Sequence, residues 1–168
     1  MKSRRCSGLI ATLVLSLPGL AFGDDIQGDR RDTPFIGVFY PIVTGFAIDA
    51  QRCPDPSHPI LLSFSGSAQT TLGRAEFTQS HCEDSAHTSF RRGVQTITFD
   101  NGWQLFGTYR GQLFVTPTTS LDAKLIIGGH YRNAGGTGPL ATANGGGISA
   151  GTVDANTGAA VVTVSGTL

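Results

Sequence analysis

The chain has 168 residues, with twelve Lys and Arg balanced by twelve Asp and Glu, 23 glycines and 39% hydrophobic residues. It carries no basic stripe that could neutralise phosphates, so nucleic acid and anionic membrane surfaces are poor partners for it. Its length suits one globular domain with a core of its own.

The opening stretch, MKSRRCSGLIATLVLSLPGLAFG, reads as an export signal. Lys2, Arg4 and Arg5 form a basic n-region, Leu9 to Leu17 an apolar h-region, and Ala21-Phe22-Gly23 a small-x-small cleavage site. That run is too short to span a bilayer, and no later segment approaches the length needed, so no membrane anchor is expected. Ser3-Arg4-Arg5 hints at twin-arginine export. Ser7 and Gly8 stand where an apolar pair usually follows, so ordinary secretion is the expectation. Residues 1–23 are thus a leader and 24–168 a single exported domain, periplasmic or extracellular. Without the leader nine basic residues face twelve acidic ones, and Lys124 is the only lysine left.

Beyond the leader no convincing helix appears, and the apolar residues alternate. Phe35 to Ala50 reads as one or two strands broken near Pro41, which cannot donate to a ladder. CPDPSHP is a loop that three prolines hold extended. Ile60 to Gln69 and Gly73 to His81 pair around Thr70-Thr71-Leu72. Val94 to Phe99 and Trp103 to Gln112 flank Asp100-Asn101-Gly102, a hairpin signal whose Asn and Gly are both expected at positive φ. Lys124 to Tyr131, Gly147 to Val153 and Ala159 to Thr167 complete about eight strands, the last two joined by a turn over 154–158. Evenly spaced strands without helices mean a sandwich or a barrel, and an antiparallel barrel abolishes exposed edges. The fold expected is all-β, an eight-stranded antiparallel barrel.

Alternation also sorts faces. Trp103, Leu105, Gly107, Tyr109 and Gly111 share one side of their strand, and Trp103, Leu105 and Tyr109 are the ligand-facing candidates. Cys53 and Cys82 remain after the leader's Cys6 is lost, and in an exported chain they are expected to pair. The bridge would draw Asp55 and His58 toward SHCEDSAH, whose His81, Glu83 and His87 are weak metal-ligand candidates. Their spacing matches no metal motif, and the loop reads first as solvated, so neither metal nor cofactor is expected. Glu76, alternating with Ala75 and Phe77, is a weak candidate for a lumenal general acid or base, with Arg74 and Arg110 as partners; facing water it would mean nothing.

Two motifs fail on context. Gly136-x-Gly138-x-x-Ala141 looks like a dinucleotide fingerprint, but Asn144 and three glycines follow it, so it reads as a turn. Gly147-Ile148-Ser149-Ala150-Gly151 matches a nucleophile elbow, yet no histidine follows His130 and Ser149 lies in a strand pattern.

The segments FSGSAQTTLGRAEFTQSHC, TFDNGWQLFGTYRG and GGTGPLATANGGGISAG resemble a group of secreted bacterial proteins. The Gly-Gly-Thr-Gly portion is also similar to dirigent proteins and, more distantly, to the allene oxide cyclase barrel. The resemblance implies an eight-stranded antiparallel barrel of calycin-like or allene oxide cyclase-like type with a central cavity, and transfers no catalytic residue. The secreted group often has a histidine before Leu-Gly-Arg, where this chain has Thr71. The expected function is a non-catalytic barrel binding a small apolar molecule. A cofactor-free cyclase or isomerase is the alternative, and a structural or assembly protein the third.

Overall fold

The computed structural model describes residues 33–115, 124–154 and 157–168. The leader expected over 1–23 and part of the turn expected over 154–158 lie outside them. Eight strands follow in order: β1 (Pro34–Ile48), β2 (Ile60–Thr70), β3 (Gly73–Glu83), β4 (Ser89–Phe99), β5 (Gln104–Val115), β6 (Lys124–Gly136), β7 (Gly146–Asp154) and β8 (Ala160–Thr167). Each pairs antiparallel with its sequence neighbour, and β8 returns to β1, so the sheet closes into a barrel. No α-helix occurs among the described residues, and none there is long and apolar enough to cross a membrane.

β1 is continuous through Pro41, contrary to the break its proline suggests. The β1–β8 ladder ends at Phe39↔Val162, so Pro41 lies where β1 is an edge strand and a missing N–H leaves no donor lost to that neighbour. The irregularity falls later, as a bulge between Val43 and Gly45. The β4–β5 hairpin also differs from expectation, because only Gly102 takes positive φ (83°). The Gly102 N–H donates to the Phe99 carbonyl and the Phe99 N–H to that of Trp103, so three residues turn the chain and only the last needs glycine's freedom.

One end of the barrel is packed shut. Phe35, Phe77, Ile97, Phe99, Leu105 and Leu168 are buried there, joined by Leu140 from the turn Gly138–Leu140. Each such side chain contributes roughly 1.5–3 kcal/mol of transfer free energy. The fingerprint-like segment belongs to this closure: Gly138 of the motif and Gly135 just before it sit at positive φ, and Gly138–Leu140 form a short 3-10 turn instead of a helix. Thr71 accepts from the Ile36 N–H and donates to the Pro34 carbonyl, tying the β2–β3 hairpin to β1.

Candidate ligand site in the barrel lumen

Among the described residues the opposite half of the barrel is not filled. A cavity of about 240 Å³ lies there, walled mainly by Phe39, Leu62, Phe64, Phe90, Leu113 and Val162, with Gln79, His81, Glu83, Tyr109, Tyr131 and Ser149 interrupting the apolar wall. Its polar centre is assembled by four consecutive strands. His81 on β3 stacks on Phe90 of β4 at 4.7 Å between ring centres, leans on Phe64 of β2 at 5.1 Å, and meets Tyr109 of β5 edge-on at 5.7 Å.

A bulge makes this cluster possible. Ser80 pairs with Val94 and Cys82 with Arg91, so β4 carries one extra residue, and Arg92 takes a positive φ of 52°. The extra residue reverses the facing, so that Phe90 points inward along with Gly93, Gln95 and Ile97. Gly93 is needed beside it, since a Cβ there would come within 2.5 Å of the Tyr109 carbonyl and 2.7 Å of its ring.

The loop between β1 and β2 braces the cluster from outside. Cys53 and Cys82 form a disulfide with Cα atoms 5.5 Å apart. The Arg52 guanidinium donates to the Arg92 carbonyl at the bulge, and Arg91 pairs with Asp55 at 3.3 Å. The bridge does draw Asp55 and His58 to this end of the barrel, as expected. His58, Ser89 and Asp84 then form a chain that resembles nucleophile machinery by residue type. Its proton order argues otherwise. Burial pushes the Asp84 carboxyl up, but donors from Ser89, Thr88 and Ala86 more than reverse this and hold it well below the usual carboxylate range. Asp84 therefore accepts from the Ser89 hydroxyl at 2.5 Å, and His58 Nε2 donates to Ser89 at 2.9 Å. A serine whose proton is held by a carboxylate and whose oxygen already accepts from histidine is a brace, not a nucleophile.

The expected site residues separate. Tyr109 lines the cavity, whereas Leu105 on the same face is fully buried in the packed end. Trp103 is corrected: it precedes β5, is 42% exposed, and lies against Gly138 outside the barrel. Glu76 is also corrected. It faces solvent between Ser67 and Thr98 on the outer surface, because Ala75 and Phe77 take the inner face. Among the described residues the carboxyl group that lines the lumen is that of Glu83, on the same face as Phe77, Gln79 and His81. Burial raises its pKa, against the hydrogen bond and charge of His87, whose Nδ1 lies 3.0 Å from Glu83 Oε2. His81, Glu83 and His87 all border the cavity but do not converge as a ligand set. Among the described residues no group of three or more His, Cys, Asp or Glu is placed to hold a metal ion. Ser149 lines the cavity from the middle of β7, with no strand-to-helix bend.

Sequence reasoning missed Phe64 and Phe90 as partners of His81. The bulge hides Phe90, and Phe64 carries no signal beyond alternation. No family model, no curated protein and no solved structure matches the chain.

Proposed function

We propose that this protein is an exported barrel that encloses a small, largely apolar molecule in its lumen. The observation that carries the reading is the cavity itself, a lined space of about 240 Å³ in a barrel whose other half is packed shut. Apolar cavities of roughly 150 Å³ take up benzene, so this one suits a molecule with on the order of ten non-hydrogen atoms. The resemblance to secreted barrels with a central cavity supports the same reading. The test is fluorine NMR with para-fluorotoluene, alongside native mass spectrometry of the protein from its producing cells. Saturable binding that Val162→Trp abolishes by filling the lumen is expected; no binding, with a bare protein mass, would overturn the reading.

A cofactor-free isomerase or cyclase is the second reading, and Glu83 favours it. Glu76 points away, but Glu83 is a lumenal carboxyl whose raised pKa suits proton transfer to an enclosed molecule. It predicts turnover of the molecule recovered from the lumen, abolished by Glu83→Gln. The assembly reading draws on the far half of β1, where Ile42, Phe46 and Ile48 are exposed, and light scattering on the purified chain tests it.

A further inference from the structure

Among the described residues, two polar atoms of the cavity's lining have no partner. His81 is 7% exposed and Tyr131 6%, and neither His81 Nε2 nor the Tyr131 hydroxyl makes a hydrogen bond there. A buried donor left unmade costs free energy that a bound acceptor recovers. Both atoms lie flush in the protein, out of reach of bulk water. Both side chains line the cavity, so an enclosed molecule can bring an acceptor oxygen to them.

The proton on each can be assigned. The Tyr109 phenol is kept protonated by burial, and its hydrogen-bond partner among the described residues is His81 Nδ1, at 3.1 Å. Tyr109 therefore donates to Nδ1, and the ring's own proton sits on Nε2. Burial, aided by the Arg52 charge, holds His81 neutral down to about pH 3. Tyr131, paired across the β5–β6 ladder with Tyr109, keeps its proton because burial pushes its pKa up to about 12. The unpaired groups are thus neutral donors, with the Glu83 carboxyl on the same wall.

From this we infer that the lumen selects neutral apolar molecules bearing a carbonyl-type acceptor oxygen, which accepts from His81 Nε2–H or Tyr131 O–H. The inference rests on the lumen reading above. An anionic carboxylate is disfavoured, since it would meet neutral donors beside another carboxyl group and would lose its hydration.

The test compares three probes of one shape by fluorine NMR on the intact protein. They are para-fluoroacetophenone, its hydrocarbon isostere para-fluoro-α-methylstyrene, and para-fluorobenzoate. The ketone is expected to bind about tenfold more tightly than the styrene, and the benzoate most weakly. Tyr131→Phe and His81→Phe should shrink the ketone's advantage while leaving styrene binding in place. Equal affinity for ketone and styrene, or benzoate binding as tight as the ketone's, would overturn this inference and leave the lumen reading standing. Failure of both neutral probes to bind would overturn the lumen reading itself. The wild-type comparison decides even if a variant does not fold.

Discussion

His81 Nδ1 lies 3.1 Å from the Tyr109 hydroxyl, across a barrel wall in which β4 separates their two strands. The contact spans that strand because Gly93, opposite Tyr109 in the ladder, leaves room for the tyrosine ring. It also fixes the imidazole tautomer, and so gives the lumen a donor in place of an acceptor.

The same contact sets a pH dependence. His81 has its pKa lowered from 6.5 to about 3, by burial first and the Arg52 charge second. A group whose folded pKa is depressed contributes stability that is complete above its unfolded value and lost as pH falls toward the folded one. From pH 7 to pH 5 the unfolded chain gains a proton at this position and the folded chain does not, a loss of about 2 kcal/mol. Glu83, with a raised pKa, opposes part of it over the same window. Urea melts at the two pH values should show His81→Phe losing less stability on acidification than wild type by about 2 kcal/mol. An identical slope in both proteins would mean that His81 is protonated in the folded state.

The Cys53–Cys82 bridge closes a span of 29 residues. In the chain-entropy model a loop of that size is worth about 3–4 kcal/mol. Replacing both cysteines with alanine should lower urea-derived stability by about that amount. Cys82 is fully buried beneath the β1–β2 loop, so the loss should include loosening of that loop and easier proteolysis near Pro54 and Pro56. A double variant as stable as the parent would show that Arg52, Arg91 and His58 hold the loop unaided.

Strand order, closure and the disulfide were legible in the residues, because period-two alternation and glycine turns are local signals. Faces were legible only where no bulge intervened. The alternation of Ala75, Phe77 and Gln79 places Glu76 on the opposite face, and it extends without interruption to His81 and Glu83. On β4, counting back from Ile97 through Gln95 and Gly93 would turn Phe90 outward, and the bulge at Arg92 reverses that. Nor does alternation say how far along the barrel a residue sits. That is why Leu105 and Tyr109, four residues apart on one face, divide between the packed end and the cavity.

That division is measurable. Leu105 is wholly buried among the residues of the closed end, and Leu105→Ala should cost about 2–5 kcal/mol, the range for a cavity left in a packed core. Trp103→Ala, outside the barrel, should cost about 1 kcal/mol or less. Affinity for para-fluorotoluene should survive both changes. Loss of binding in Trp103→Ala would return that residue to the ligand site.

Glu76 and Glu83 give opposite expectations for the same substitution. Glu76→Gln, on the outer face, should leave stability at pH 7 within about 0.5 kcal/mol. Burial raises the Glu83 pKa, so its neutral form suits the fold and its ionised form is held at a cost that His87 only partly offsets. A raised carboxyl contributes stability below its unfolded value, 4.5, and that stability is lost as pH climbs through the folded one. At pH 7 Glu83→Gln should therefore be at least as stable as wild type, with its advantage shrinking as pH falls toward 5. A variant weaker than wild type at pH 7 and equal to it at pH 5 would reverse the sign, making the charged Glu83–His87 pair a net stabiliser of the lumen's rim.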